Sequence, residues 1–342
     1  MQEDSLFRLL AIIFKPDKGF LERFSMPFDN DANFPLVSAL LVSHNDARYL
    51  PDSLGSVLNQ DYPSIECILV DDGSTDHTPD LIQRWSDDPR FRYIRIEHAG
   101  LSAARNIGIQ QVRGNLVAFL DADDWWEPDK TMQQVLFLSA NPDAGFCWSD
   151  YRTIGLPRAA REPFTDGLYE SRALAKYILL AGAPAAPSCW MVRRDLLRDV
   201  GGFDPGIHNG SDVELIFRLA CNAKGGSIGK CLTNRRMRHD SMSRDVVHKV
   251  AEGPKVIEKM LRYRAEPLSQ YRSAAMSNVH RYLASHAWIS QAWRVSIREA
   301  LRAAYWKPSY ALSSEFWQHL LVGHLFRLIR KDTAPPNSKI PT

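Results

Sequence analysis

Residues 35–72 read PLVSALLVSHNDARYLPDSLGSVLNQDYPSIECILVDD. An apolar run of strand length, LVSALLV at 36–42, is followed by residues 47–60, where Leu50, Leu54, Val57 and Leu58 recur at helical spacing. A second apolar run, IECILV at 65–70, closes the unit. Two short apolar runs bracketing an amphipathic segment predict a βαβ unit, with both strands parallel. The runs are continuous rather than alternating, which predicts strands buried on both faces of a sheet.

The rhythm continues downstream. TPDLIQRWS (78–86) predicts a helix capped by Thr75 or Asp76; FRYIRI (91–96) predicts a strand, LSAARNIGIQQV (101–112) a helix rich in small residues, and NLVAFL (115–120) a fourth strand. Strand-to-strand spacings of about 25 residues suit parallel crossovers. The expected class is α/β, with helices on both faces of a mostly parallel sheet. Beyond Asp124 the rhythm loosens. A helix is expected over 128–140 with Pro128 in its first turn, strands at 144–151 and 188–192, and a short helix at 193–200. A longer helix is expected over 211–223, capped by Ser211 or Asp212, and mostly helix follows Val246.

Of the 342 residues 45% are hydrophobic and 24% charged, ordinary proportions for a chain with a real core. The net charge is only +2, but residues 253–342 hold 14 Lys/Arg against five Asp/Glu, leaving 28 against 35 in the rest. An acidic body with a basic end suggests an anionic surface for that end. The five cysteines form no CxxC pair and no Cys/His cluster, which predicts a reducing, cytoplasmic compartment and argues against zinc. No run of about 18 apolar residues occurs, so no membrane span is expected.

In open α/β sheets ligands bind at the carboxyl ends of the strands. Here those exits are Ser43-His44-Asn45, then VDDGSTD (70–76) with Asp71 and Asp72, then EHAGLSAARN (97–106), then DADD (121–124). Each has a plainer reading alone: a turn, a helix cap, a solvated loop. Together they converge. Three carboxylates at a strand end repel one another, and in the sequence none has a cationic partner beside it. Hard oxygen ligands suit Mg²⁺ or Mn²⁺, with phosphate oxygens completing the shell. Arg105, one turn into its helix, would meet a phosphate at the rim. Carboxylates also accept from ribose hydroxyls and a base N–H. The exits therefore suggest a divalent-metal site for a nucleotide diphosphate.

Read in order, PLVSALLVSHND…VDDGSTDHT, GLSAARNIGI…RGNLVAFLDADDWWEPDK and GGFDPGIHNGSDVELIFRLA resemble a family 2 glycosyltransferase, over about residues 35–245. The resemblance implies a GT-A, Rossmann-like fold: an N-terminal extension (1–34), a catalytic domain (35–245) split into nucleotide-binding (35–124) and acceptor (125–245) halves, and a C-terminal helical region (246–342). It implies inverting transfer of one sugar from a nucleotide diphosphate, by default a UDP-sugar, to a glycan or lipid-linked hydroxyl, with no nucleic-acid partner. By the same resemblance Asp72 reads the base beside Ser43 and Asn45. Asp121 and Asp123 are the outer residues of a D-x-D that holds ribose and metal. Asp124 neighbours the sugar, His239 lies near the metal or diphosphate, and Asp212 is the general base.

The chain departs from the family at three places. It reads Val42-Ser43-His44-Asn45 where Pro-Thr-Tyr-Asn is common, His98 where Asn is common, and Ser211 where Glu is common. The last keeps open a non-catalytic nucleotide-sugar binder. A nucleotidyltransferase would carry a glycine-rich phosphate loop after the first strand, and VSHNDARYL has none. Residues 313–331, with Phe316, Leu320, Leu321, Leu325 and Leu328 at helical spacing before Arg327, Arg330 and Lys331, read either as a helix packed on the catalytic domain or as an in-plane membrane helix at the inner face of the cytoplasmic membrane.

Overall fold

The computed structural model describes residues 34–155, 165–238, 246–263 and 268–322. The βαβ unit is built as expected. Strands β1 (Val37–Ser43) and β2 (Ile65–Asp72) lie parallel, from Val37 opposite Ile65 to Ser43 opposite Asp71, joined through helix α1 (Leu50–Leu58). Helix α1 starts at Leu50, the first of the spaced apolar residues, with Pro51 in its first turn, where a missing N–H costs nothing. Residues 78–86 form only one α turn, α2 (Thr78–Leu81), and a 3₁₀ turn. Strands β3 (Phe91–Ile96) and β4 (Leu116–Asp121) complete a parallel block ordered β3-β2-β1-β4.

Strand β1 is buried along its whole length because both sheet faces are covered. Leu40 and Val42 join Ala104 and Ile109 of α3 (Leu101–Gln111) on one face. Ala39 and Leu41 join Leu50 and Leu54 of α1 and Val135 and Leu138 of α4 (Lys130–Ala140) on the other. Helix α3 lies so close that a Cβ on Gly108 would sit 2.3 Å from a Leu40 methyl, hence its small residues.

The second half continues the same sheet. Strands β5 (Trp125–Trp126), β6 (Ala144–Ile154), β7 (Gly167–Tyr169), β8 (Trp190–Arg193) and β9 (Lys224–Arg236) extend it in the order β4-β8-β6-β9-β5, with β7 beside β9. β8 is antiparallel to β4 and β6, while β6 and β9 are parallel. Helices α5 (Ser171–Ala181), α6 (Arg194–Asp199) and α7 (Ser211–Asn222) accompany these strands. The N-cap of α7 is Gly210, at φ +95°, and not Ser211 or Asp212, which are its first helical residues.

Helices α8 (Val246–Tyr263), α9 (Arg272–Ile289) and α10 (Trp293–Trp306) follow. Val256, Ile257, Met260 and Leu261 of α8 share a core cluster with Leu215 and Leu219 of α7. Of the segment 313–331, Phe316 and Leu320 pack on Ala284, Ala300, Ala303 and Tyr310 of the C-terminal helices, so its start is covered by that bundle rather than by the sheet domain. Residues 323–331 and His239 lie outside the described residues, as does the N-terminal extension up to residue 33. Among the described residues no helix is long and apolar enough to cross a membrane.

Candidate active site

The parallel register brings the strand exits level: Ser43 pairs with Asp71, and Val42 pairs with Asp121 on the other side. Asp71 is turned inward, its carboxylate accepting the Ser74 N–H (2.8 Å) and the Tyr93 hydroxyl (2.5 Å). Asp72 is buried, and its carboxylate accepts the backbone N–H groups of Ala99 (2.7 Å) and Gly100 (3.0 Å). It thereby fixes the loop that starts α3. His98 Nδ1 lies 3.0 Å from the same carboxylate, and the rings of His98 and His44 stack at 4.3 Å. These three residues place potential ligand atoms within 4.8 Å of one another.

Asn45, at φ +58°, is a staple between two exits: its side-chain oxygen accepts the N–H groups of Thr75 (2.7 Å) and Asp76 (3.2 Å). Ser43 is buried, and its hydroxyl has no hydrogen-bond partner among the described residues.

The absence of cations around DADD, expected from the sequence, is corrected by the structure. Arg105 is buried, donates to Asp121 and stacks at 4.9 Å over Phe203, so it supports a carboxylate instead of standing free for a phosphate. Arg238 lies 3.2 Å from Asp123 and 2.6 Å from Asp46. Asp124 is buried, receives the Ser188 hydroxyl (2.6 Å) and the Arg236 N–H (2.9 Å), and has Arg235 at 3.8 Å. Asp124 therefore fastens the end of β9 to the loop.

Two-residue strand β5 is what delivers the arginines. Trp125 and Trp126 pair with Asn234 and Thr233, so the next residues of the chain fall on the acidic loop. The run Arg235-Arg236-Met237-Arg238 is visibly basic in the sequence, but its return to the acidic loop shows only in the pairing of β5 with β9. Of the two tryptophans, Trp126 is core, donating to the Ser188 carbonyl (2.8 Å), while Trp125 lies under the Arg236 guanidinium at 4.9 Å.

Burial and mutual repulsion still hold two of these acids above the ordinary carboxylate range. Burial and the Asp121 charge push the Asp123 carboxyl up to about 6, with Arg238 opposing. Burial, Asp121 and Asp123 push the Asp124 carboxyl up to about 8 against the pull of Arg235 and Ser188. The hard oxygens of Asp121 and Asp123 are of the kind that fits Mg²⁺ or Mn²⁺.

Asp212 is half-buried at the second position of α7, its carboxylate accepting the Val213 N–H (2.9 Å). The loop before it is tied to α3: Asn106 exchanges hydrogen bonds with the backbone of Phe203 (2.7 and 2.8 Å), and the Ser102 hydroxyl donates to the Ile207 carbonyl (3.3 Å). An open cleft of about 530 Å³ runs past Arg48, Tyr49, Ile154, Arg236 and Arg238.

Residues 38–201 match the family model of Glycosyl transferase family 2. That stretch is a family 2 glycosyltransferase domain. Asp212 falls beyond the matched residues of this domain. The Bacillus subtilis (strain 168) protein EpsH is 40% identical over 114 residues, 33% of this chain and 33% of its own length. TuaG of the same organism, named for teichuronic acid biosynthesis, is 42% identical over 106 residues, 30% of this chain and 42% of its own length. The chain thus spans less than half of either relative. Among solved structures, Staphylococcus aureus TarS 1–349 in complex with UDP-GlcNAc has a TM-score of 0.57 at 15% identity, over 79% of this chain and 91% of that one. The mannosyltransferase PcManGT of Pyrobaculum calidifontis, in complex with GDP-Man and Mn²⁺, has 0.51 at 20%, over 91% and 93%. These likenesses establish the GT-A fold.

Proposed function

We propose that the chain transfers a single sugar, with inversion, from a nucleotide diphosphate sugar to a hydroxyl acceptor of a cell-envelope glycan or a lipid-linked precursor. The observation that carries this reading is the register of β1, β2 and β4, which brings the Asp71-Asp72 exit of β2 level with Asp121, the end of β4 from which the turn to Asp123 follows. Asp72 and the unpartnered Ser43 hydroxyl would hold the nucleoside. Asp121 and Asp123 would hold Mg²⁺ or Mn²⁺, which when bound offsets charge growing on the departing diphosphate. Arg105 fixes Asp121, and Arg238 must yield its contact with Asp123. Asp212 takes the proton of the attacking hydroxyl, and a single displacement needs no covalent nucleophile. A UDP-sugar is the favoured donor, in line with the TarS complex, and Mn²⁺ in the PcManGT complex supports the ion.

A second reading, a binder without turnover, is favoured by Ser211, which replaces a carboxylate next to the proposed base. The two separate in one experiment. UDP should raise the melting temperature only when Mn²⁺ is present, and Asp123→Ala should remove that response while leaving the fold. Asp212→Asn should keep it while cutting release of UDP from UDP-sugars by about 10²-fold or more. Unaltered UDP binding in Asp123→Ala would defeat the proposed site. Turnover unaffected by Asp212→Asn would defeat the assigned base.

A further inference from the structure

Asp212 is reached through residues 204–210, and one face of α8 lies along that whole segment. Glu252, Val256 and Lys259 stand four and three residues apart, so they share a side of the helix. Glu252 Oε2 accepts the backbone N–H groups of His208 (3.0 Å) and Asn209 (2.6 Å), and its other oxygen lies 3.4 Å from His208 Nδ1. Val256 fills the space over Gly210, where a Cβ would lie 3.5 Å from its methyl. Lys259 Nζ meets the carboxylates of Asp204 (2.5 Å) and Glu214 (2.9 Å). Glu214 is wholly buried, two residues beyond Asp212, and also receives Arg218 at 2.6 Å. Asp212 is bracketed on both sides by contacts from one helix, and that helix lies outside the matched residues 38–201.

We propose that α8 clamps the entrance of α7 and that Glu252 is a positioning residue for Asp212, acting through the backbone of residues 208–210. A carboxylate that accepts two successive N–H groups makes charge-assisted bonds, about twice as strong as neutral ones. Gly210 in the left-handed region is a hinge with no side chain to hold it, so the direction in which Asp212 enters its helix depends on what grips the residues before it. A misplacement of about 1 Å at a reacting group costs on the order of 10²-fold in rate. The proposal rests on reading Asp212 as the base that receives the acceptor proton.

The test uses the full chain, Mn²⁺ and UDP-hexoses, read as UDP released and, separately, as UDP affinity. Glu252→Ala should lower kcat by about 10- to 100-fold, with UDP affinity and the KM for the donor within about twofold of the parent. Glu252→Gln keeps an acceptor oxygen and should recover most of the rate. In an Asp212→Asn background Glu252→Ala should add no further loss, since the group it positions is gone. A parental kcat in Glu252→Ala, or a loss of UDP affinity as large as the loss of rate, overturns the clamp. Should Glu252→Ala not fold, Lys259→Met opens the other end and must show the same split, and an unchanged kcat there overturns the proposal. If Asp212→Asn keeps the parental rate, or no UDP-hexose releases UDP with the parent, the assigned function fails first and the clamp falls with it.

Discussion

Lys130 lies wholly inside the sheet domain, its ammonium 4.0 Å over the Trp126 ring and 2.6 Å from the Gln134 side-chain oxygen. Among the described residues no carboxylate forms an ion pair with it, and burial pushes its pKa down to about 7 from an ordinary 10.5. Below about pH 7 both folded and unfolded chains carry this proton, and the folded protein bears the full cost of a buried charge. Between about 7 and 10.5 the unfolded chain binds the proton and the folded one does not, so this group makes stability rise with pH. Lys130→Met should therefore match or exceed the parent in urea unfolding at pH 7. The advantage should shrink as pH approaches 10, because the parent loses its penalty there. A variant clearly weaker than the parent at pH 7 would show that the Gln134 bond outweighs the burial of charge. None of this is legible locally. The sequence shows a lysine at a helix start, a position that is ordinarily solvated, and only the packing of β6 and β9 beside α4 buries it. The neighbouring acids have the opposite history. Asp121 and Asp123 were legible as a cluster, but Arg238, which faces Asp123, is 115 positions away in the chain.

Elements whose own residues signal burial were read well, β6, β8 and α7 among them, whereas the pairing of strands remote in sequence was not. The strands β1 to β4 and helix α3 follow from apolar runs and small residues that signal burial whatever covers them. Helix α3 needs its small residues because it rides on β1 at Gly108 and Leu40, so Gly108→Val should destabilise the protein by about 1–3 kcal/mol in urea, through overpacking. A loss below about half a kilocalorie would mean that α3 can lift off without cost. Strand β9 shows what local reading omits. Its end supplies Arg235 and Arg236, and Arg238 follows, yet nothing in residues 224–238 tells that they return to the DADD loop; that follows from the pairing of β5 with β9. If Arg238 competes with an ion for Asp123, Arg238→Ala should bind Mn²⁺ alone about three- to tenfold more tightly, the equivalent of losing a partly exposed ion pair of about 1 kcal/mol. Mn²⁺ titration by electron paramagnetic resonance reads this directly. Weaker Mn²⁺ binding in the variant would place Arg238 among the groups that help to build the ion site.

At the scale of the whole molecule the charge asymmetry of the sequence acquires a surface. The membrane expectation centred on residues 313–331, but Phe316 and Leu320 point into the C-terminal bundle, because Ala284, Ala300 and Ala303 leave room for them. Four exposed apolar side chains lie on and after α10, Leu301, Tyr305 (80% exposed), Leu312 (86%) and Trp317, besides Val247 on α8 and Ile289 at the end of α9. Arg294 and Lys307 are exposed among them. Arg298 and Arg302 reach back to the buried Glu299, yet about half of each side chain stays in solvent. Exposed aromatic and aliphatic side chains in a stretch of chain that also exposes cations suit the boundary of an anionic bilayer, where headgroups meet the charges and the rings enter the interface. The proposal that the enzyme works on lipid-linked acceptors predicts that the full chain sediments with vesicles containing phosphatidylglycerol, not with neutral phosphatidylcholine vesicles, and is released at high salt as surface charges are screened. Deleting residues 313–342 is a blunt test, since it takes Phe316 out of the bundle. Tyr305→Ser combined with Leu312→Ser leaves the packed face alone and should weaken vesicle binding by about tenfold, each buried methylene contributing about 0.8 kcal/mol, with the melting temperature and UDP binding unchanged. Parental sedimentation of that double variant would remove this face from contention, and a full chain that stays in the supernatant with anionic vesicles would remove the membrane altogether.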